Sequence, residues 1–321
     1  MSEQYLIAWW NLENLFNVEN WPDRPEWLAN QLATELAGWD QGILDKKCTQ
    51  LARVIKDMNG GGGPDILGVC EIECVEVLQA LLQKVDLPDR SYGIVHHDSD
   101  DKRGIDVAFV YDQNKFTAGA KFDHVVLKRN ATRDIFQVNF ETTAGNNPIV
   151  LIANHWPSRL GGGKFSSEPY RIVAAETLSY WLSKIPEKFD SEPAIMVMGD
   201  FNDEPYDRAI TDYALAIREK RRVASSRSQK PYLYNLSWSI YGAGSGTYYY
   251  GKWDILDQMM VNRPLVQINT PVQYQDGSFS VFRPDYLLKN GKPRRFGRPS
   301  KRYDEGGFSD HLPVTAVLRE L

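Results

Sequence analysis

Acidic, amide and histidine side chains recur where short apolar segments of this sequence end or begin. They are Asn11 and Glu13 after the first apolar run, Glu71 after ILGVC, Asn154 and His155 after IVLIA, Asp200 and Asn202 after AIMVMG, and Asp310 and His311 before VTAVL. Strand ends in a packed sheet converge on one rim, where a rigid scaffold holds polar groups around a substrate. The pattern therefore predicts a polar site at the rim of a sheet.

These side-chain types are the ones that phosphoryl chemistry needs. A hard cation such as Mg²⁺ (or Mn²⁺) binds through one or two carboxylates together with water and substrate phosphate. A neutral imidazole accepts a proton from water, and amide N–H groups stabilise charge that grows on phosphate oxygens. The set thus contains metal ligands, a proton acceptor and phosphate donors.

Each residue taken alone also fits a structural role. Glu71 fits a solvated position at a helix start, and His155 fits a satisfied histidine beside Trp156. Asp200 and Asn202 fit a turn. The order of the motifs along the chain decides between these interpretations.

Alternating strands and helices supply the elements that would position these residues. Apolar runs ended by polar residues or glycine predict strands at residues 5–10, 66–69, 106–111, 149–153, 194–198, 247–250, 255–261 and 314–318. Apolar residues spaced by three and four predict helices in WLANQLATEL, CTQLARVIKDM, VEVLQALLQKV and YRIVAAETLSYWL. The glycines at 60–63 end the second helix. The alternation predicts an α/β or α+β domain and leaves the number of sheets open.

Length and composition favour one soluble domain, residues 1–321. The chain is 42% apolar and shows no linker, repeat or low-complexity tract, so it can bury a core without disulfides. Its three cysteines, Cys48, Cys70 and Cys74, lack Cys-x-x-Cys spacing, which argues against structural zinc and for a reducing compartment. No signal-peptide pattern or membrane-length apolar stretch occurs. We therefore expect a cytoplasmic protein without a membrane partner, and a monomer.

The charge pattern bears on the substrate. A net charge of -5 repels nucleic acid at long range, so a polyanion would need a local basic patch. Two segments, 218–230 and 283–302, are rich in lysine and arginine. A solvated loop is the alternative interpretation of both. If the second segment contacts phosphates, the residues expected to bind them are Lys292, Arg294, Arg295 and Arg298.

Seven motifs occur in one order along the chain: WNLENL, PDILGVCEIE, RGIDVAFVY, NHWPSR, MGDFNDEP, WDILDQMMV and FSDHLPV. Together they resemble the endonuclease/exonuclease/phosphatase superfamily, which has the deoxyribonuclease I-like fold. The resemblance spans residues 5–318. It implies two packed mixed β-sheets flanked by helices, a four-layer sandwich of α/β (α+β) class with its active site at one edge.

The resemblance also implies roles for individual residues. Asn11 and Glu71 match the motifs that hold a divalent metal, and Glu13 falls where relatives carry a second acidic residue. Asp200 and Asn202 match the pair that orients water and contacts phosphate. His155 matches a residue that binds phosphate on the leaving-group side, and Arg159 is its neighbour. Asp310 and His311 match the terminal pair of the family, with Asp310 beside the metal. Asp257 matches the aspartate that supports the terminal histidine.

His311 is suited to water activation under this resemblance. A histidine near its ordinary pKa of about 6.5 accepts a proton from attacking water, and Asp257 would fix its tautomer. Asp200 is the alternative base. No covalent nucleophile is required.

Three functions are compatible with the superfamily, because a fold does not select its substrate. A metal-dependent nuclease is favoured, since WNLENLF and GDFNDEP resemble bacterial nuclease-type members and both basic segments lie between site motifs. A phosphatase or phosphodiesterase for a small or lipid phosphate is the alternative. A binding domain without activity is disfavoured by the complete motif set. DNA and RNA are not distinguished.

Overall fold

The computed structural model of the chain describes residues 2–129, 131–159, 162–225, 227 and 230–321. Its strands are β1 (Glu3–Leu15), β2 (Ile66–Ile72), β3 (Tyr92–His97), β4 (Asp106–Asp112), β5 (Phe116–His124), β6 (Ile135–Thr142), β7 (Pro148–His155), β8 (Ala194–Asp200), β9 (Ala216–Ile217), β10 (Leu233–Asn235), β11 (Tyr248–Tyr250), β12 (Lys252–Asp254), β13 (Asp257–Val261), β14 (Val272–Tyr274), β15 (Ser280–Val281), β16 (Leu288–Lys289), β17 (Lys292–Pro293) and β18 (Val314–Glu320). Its α-helices are α1 (Glu26–Leu32), α2 (Gln41–Asp57), α3 (Val75–Val85), α4 (Lys164–Lys184), α5 (Lys220–Ala224) and α6 (Arg263–Val266).

Two large mixed sheets organise these strands. The first has the order β14-β18-β1-β2-β4-β3, with β15 also paired to β18, and the second has the order β5-β6-β7-β8-β13-β10-β9. Each contains one central parallel pair, β1 with β2 and β7 with β8. Because parallel strands end on the same side, the carboxyl ends of these four strands form one rim. The antiparallel neighbours β18 and β13 start at that rim.

The sheets pack face to face over an apolar core that includes Trp9, Phe109, Phe136 and Met259. Gly68 faces this core, where a Cβ would stand 2.7 Å from the Trp9 ring of the adjacent strand and 2.9 Å from the sulfur of Met198 in the other sheet. Burying a large apolar side chain contributes about 1.5–3 kcal/mol, so this interface is the main support of the rim. The absence of a side chain at position 68 lets the sheets approach.

Helices cover both outer faces. The helices α2 and α3 pack on the first sheet through residues such as Leu51 and Leu78, in one apolar cluster with Val69 of β2. The helix α4 packs on the second sheet through Leu178, against Val150. The layers are therefore helix, sheet, sheet, helix, and the predicted sandwich is confirmed.

Most predicted elements are present, with shifts at their ends. The helix predicted in WLANQLATEL ends at Leu32, and the strand predicted at 255–261 begins at Asp257. Ten of the described strands escaped the pattern: β3, β5, β6, β9, β10, β12 and β14 to β17. The strand β5 lies at the edge of its sheet and most of its residues are exposed, so it carries no apolar run.

Candidate active site

Six predicted polar side chains meet at the rim. They are Asn11 in β1, Glu71 in β2, His155 ending β7, Asp200 ending β8, Asp257 starting β13 and His311 just before β18. Strand register fixes part of this arrangement, because His155 stands opposite Asp200 and Asp200 stands opposite Asp257. The two sheets thus contribute to one cluster.

Irregular backbone directs the β1 and β2 side chains into the rim. Register shifts interrupt the β1–β2 and β2–β4 ladders at this point. Glu13, Asn14 and Glu71 have positive φ angles of 53°, 54° and 61°, a conformation that costs a non-glycine residue on the order of 1 kcal/mol or more. The N–H of Asn14 in this bulge donates to Oε2 of Glu71 at 2.9 Å. The strained segment therefore holds the Glu71 carboxylate in place.

Glu71 remains ionised although it is largely buried. Burial opposes its charge, but the positive charges of Arg103 and His311 outweigh that effect and lower the pKa of the carboxyl. Its Oε1 lies 3.8 Å from Nε2 of His155 and 3.9 Å from a guanidinium nitrogen of Arg103. This oxygen faces the centre of the rim.

Asp200 is held by amide groups on both sides. Its Oδ2 accepts from the side chain of Asn11 at 3.2 Å, and its Oδ1 accepts from the N–H of Asn202 at 3.0 Å. Asn202 has a φ of 51°, and its side-chain amide donates to the Trp156 carbonyl at 3.0 Å. Burial raises the pKa of Asp200 to about 6, although His311 opposes this rise.

His311 and Asp257 form a buried pair. Nδ1 of His311 donates to Oδ2 of Asp257 at 2.6 Å, and Oδ1 of Asp257 accepts from the Trp9 indole at 3.1 Å. Nε2 of His311 is thereby turned toward Asp200, 3.9 Å from its Oδ2. Burial disfavours the imidazolium, but Asp257 and Asp200 outweigh that effect and raise the pKa of His311 well above its ordinary value.

His155 has the opposite electrostatics. Burial, together with the charges of Arg133 and Arg103, lowers the pKa of His155 well below its ordinary value. Arg133 donates to the backbone carbonyls of His155 at 3.2 Å and of Trp156 at 3.0 Å. His155 is therefore a neutral imidazole, and its Nε2 lies 3.8 Å from Oδ2 of Asp200.

Glu13 and Asp310 lie beside this cluster and meet the basic segment. The Glu13 carboxylate accepts from the Arg295 side chain at 2.8 Å and from the Phe296 N–H at 3.0 Å. Burial and the nearby Asp310 raise the pKa of Glu13 to about 7. Asp310 lies 3.6 Å from Arg295, and burial raises its pKa as well. Both oxygens of Glu13 are thus used to hold the segment 283–302 against the rim.

The predicted phosphate-binding cations of that segment are mostly paired with acids. The pairs are Arg295 with Glu13, Arg294 with Asp304 and Arg298 with Glu35. Lys292 differs, because its ammonium lies 4.6 Å from the ring centroid of Tyr249. In the other basic segment, positions 226, 228 and 229 lie outside the described residues, and α5 packs against α6 beyond the far end of β13.

Arg159 is likewise occupied by protein groups. Its Nε donates to the Asn202 carbonyl at 2.6 Å. Its two terminal nitrogens lie 3.2 Å from Asp207 and 3.7 Å from Asp254. The structure therefore places Arg159 behind the Asn202 turn.

The donor set fits a hard divalent cation. The carboxylates of Glu71 and Asp200 both approach Nε2 of His155 at 3.8 Å, so they bracket one space with oxygen ligands. Ligand atoms of Asp200, Asp257 and His311 also lie within 4.8 Å of one another. In that second group Asp257 and His311 are already bonded to each other, so the space between Glu71 and Asp200 is the better cation site.

Four residues near the site carried no predicted role. Arg103 and Arg133 set the charges around Glu71 and His155, and Ser309 donates to the Asn11 carbonyl at 2.6 Å. The ring of Tyr248 packs 4.7 Å from His311. Arg103 stands in the motif RGIDVAFVY and Ser309 in FSDHLPV, and both motifs were usable signals; Arg133 and Tyr248 lie in none of the seven motifs.

The sequence matches the family model described as the endonuclease/exonuclease/phosphatase family over residues 6–320. The chain therefore belongs to this family, whose members are metal-dependent phosphoester hydrolases. No curated protein matches the sequence. Within the described residues, no helix combines the length and the apolar character needed to cross a bilayer.

Solved structures share the fold at low sequence identity. An endonuclease/exonuclease/phosphatase family protein from Bacteroides thetaiotaomicron is 14% identical, with a TM-score of 0.60, covering 100% of this chain and 99% of that one. A mannosyl-6-phosphatase from the same organism is 14% identical, with a TM-score of 0.58 and coverage of 98% and 99%. A humanised TDP2 from D. rerio is 13% identical, with a TM-score of 0.58 and coverage of 98% of each chain.

Proposed function

We propose that this chain is a divalent-metal-dependent phosphodiesterase that cleaves nucleic acid with water as the nucleophile. The observation that carries the proposal is the buried pair of His311 and Asp257, which points Nε2 of the imidazole at Asp200 beside the ionised Glu71. His311 thus provides an acid, Asp200 a base and Glu71 a metal ligand within one rim. None of them requires a covalent intermediate.

Asp200 is the acceptor for the proton of the attacking water. Its pKa of about 6 lies near neutrality, and the two amide donors from Asn11 and Asn202 fix its orientation. His311 is charged, so it donates from Nε2 to a phosphate oxygen, while Asp257 stabilises the imidazolium. Two groups whose environments separate their pKa values thereby divide the acid and base work.

His155 donates as a neutral imidazole on the other side of the phosphate. Arg133 holds the backbone of His155 and Trp156, which keeps the ring in the rim. Glu71 and Asn11 would hold Mg²⁺ (or Mn²⁺), which would supply Lewis-acid stabilisation of negative charge on the phosphate when bound. We assign Glu13 to holding Arg295, and Asp310 to the charge balance beside it.

Nucleic acid is favoured as substrate because exposed cations and aromatic rings adjoin the rim. Lys292 and Arg295 are exposed, and Lys292 lies on Tyr249. A second candidate, hydrolysis of a small phosphate ester, is favoured by the pairing of Arg294, Arg295 and Arg298 with acids, which reduces the charge available to a polyanion.

Hydrolysis of matched substrates tests the proposal. Purified protein is incubated with Mg²⁺, Mn²⁺ or EDTA and with single-stranded DNA, duplex DNA, RNA, bis(p-nitrophenyl) phosphate and mannose 6-phosphate, with His311→Ala as the control for contaminating enzymes. We expect metal-dependent cleavage of a nucleic acid that is lost in the variant. Release of inorganic phosphate from the sugar phosphate, with every nucleic acid intact, would replace the proposal with the second candidate.

A further inference from the structure

Two small hairpins extend from the rim beside His311. The hairpin β11–β12 begins at Tyr248, which forms an isolated β-bridge with His311 and packs its ring 4.7 Å away. The hairpin β16–β17 precedes the segment that Glu13 binds, and β17 contacts β11. The hairpins therefore form one surface that starts at the proposed catalytic histidine.

This surface displays aromatic rings that are exposed or partly exposed, although Trp253 also packs against the core of the first sheet. Tyr250 is 76% exposed and has no ring partner among the described residues. It lies two positions after Tyr248, so both side chains project from the same face of the strand. On the other face, Tyr249 and Trp253 pack edge to face with centroids 5.4 Å apart, and both remain partly exposed. Exposed rings at a rim are available for stacking.

Lys252 and Lys289 on these hairpins pair with Asp254 and Asp304, but two further cations beside the rings form no ion pair within the described part of the chain. Lys292 lies 4.6 Å from the centroid of Tyr249, and Arg283 lies 5.7 Å from that of Trp253. Both are exposed and neither forms an ion pair with an acid of the described residues. They differ in this respect from the three paired arginines of the same segment. The two hairpins and Arg283 beside them thus offer positive charge that a polyanion could meet.

Resting on the function proposed above, we propose that the hairpin surface of Tyr249, Tyr250, Trp253, Lys292 and Arg283 binds unpaired nucleic acid next to the scissile phosphate. Bases stack on aromatic side chains when their faces are free, and nearby cations contact the backbone. In a duplex those faces are already stacked between neighbouring base pairs. The surface therefore selects single strands, overhangs or flaps over continuous duplex.

Two variants test the surface without touching the catalytic pair. Tyr250→Ala removes an exposed ring, and Arg283→Ser with Lys292→Ser removes the unpaired charge. The matched control is Tyr180→Ala with Lys188→Ser on the outer face, where Tyr180 is 56% exposed. Each protein is assayed by kcat/KM on a single-stranded oligonucleotide, on its duplex and on bis(p-nitrophenyl) phosphate, at several salt concentrations.

We expect Tyr250→Ala to lose about 5- to 100-fold in kcat/KM on the single strand, at least fivefold more than on the other two substrates. The double variant should flatten the salt dependence on the single strand, since fewer counterions are released. Equal losses on all three substrates, or no loss beyond the control, overturn the inference while leaving the nuclease proposal intact. A wild-type protein that cleaves no nucleic acid overturns both.

Discussion

The two ends of the sheet sandwich both bury acidic side chains, but they satisfy them differently. At the rim, carboxylates of Glu71 and Asp200 stand 3.8 Å from one histidine nitrogen without bonding to it. At the opposite end, where β2 begins and β4 ends, Asp65 and Asp112 both form ion pairs with Arg90. The first arrangement leaves ligand atoms available, and the second does not.

Arg90 is saturated by its surroundings. Besides the two acids, it donates to the carbonyls of Gly62 at 2.8 Å and Gly63 at 2.9 Å. Asp65 in turn accepts from the N–H of Leu6 at 2.6 Å. A buried ionic network with every group bonded stabilises a fold, whereas partial satisfaction and raised carboxyl pKa values are typical of functional sites. The difference favours the rim as the reactive site and the far end as a structural network.

The largest expected effect is on catalysis at the rim. Glu71→Gln keeps the shape of the side chain but removes the charge that would hold the cation, so kcat/KM should fall by about a thousandfold or more. Added Mg²⁺ should restore little of it. The measurement is a metal titration of hydrolysis, with thermal unfolding as the control for folding. Activity near the wild-type level would remove Glu71 from the metal site.

The far end should respond in the opposite way. Arg90→Met leaves Asp65 and Asp112 buried without their shared partner, so the free energy of unfolding should fall by about 3 kcal/mol. The kcat of the folded protein at low temperature should not change. Urea unfolding and hydrolysis assays measure the two effects. A loss of kcat with unchanged stability would contradict the assignment of this end to structure.

His311→Ala should cost about a hundredfold in kcat. The pH profile then decides its role. If protonated His311 is the donor, it loses its proton as the pH rises through its pKa, and the wild-type kcat falls on the alkaline side. In His311→Ala this alkaline fall of kcat should flatten. If the acidic limb disappears instead, His311 is the base and Asp200 is not. Tyr180→Ala, on the outer face, serves as the control.

The smallest effect concerns the stability cost of the rim. Burial raises the pKa of Asp200 from 3.8 to about 6, so its ionised form disfavours folding above pH 6 and this penalty fades as pH falls toward 4. In EDTA, Asp200→Asn should therefore raise the free energy of unfolding by about 1–2 kcal/mol at pH 7.5 and by almost nothing at pH 4. Urea titrations at both pH values measure this. Destabilisation at pH 7.5 would show that the hydrogen bond from Asn11 outweighs the charge.

The sequence by itself determined the central strands, the main helices and the order of the motifs. Apolar runs marked central strands such as β2, β7 and β8, because strands buried on both faces are apolar throughout. The polar residues that end them, Glu71, His155 and Asp200, were readable for the same reason. The exposed edge strand β5 could not be predicted in this way. Hydrophobic periodicity reports which residues are buried, and few residues of β5 are buried.

Tertiary structure alone decided how the charged residues are used. Arg294 and Arg298 looked available in the sequence, yet Asp304 and Glu35 pair with them, and the Asp304 contact spans ten positions of chain folded back on itself. The Glu13 carboxylate, which the motif suggested as a metal ligand, accepts a hydrogen bond from Arg295, 282 positions away. A side chain's charge is local to the sequence, but its partner, burial and pKa depend on which distant segments the fold brings within a few ångströms.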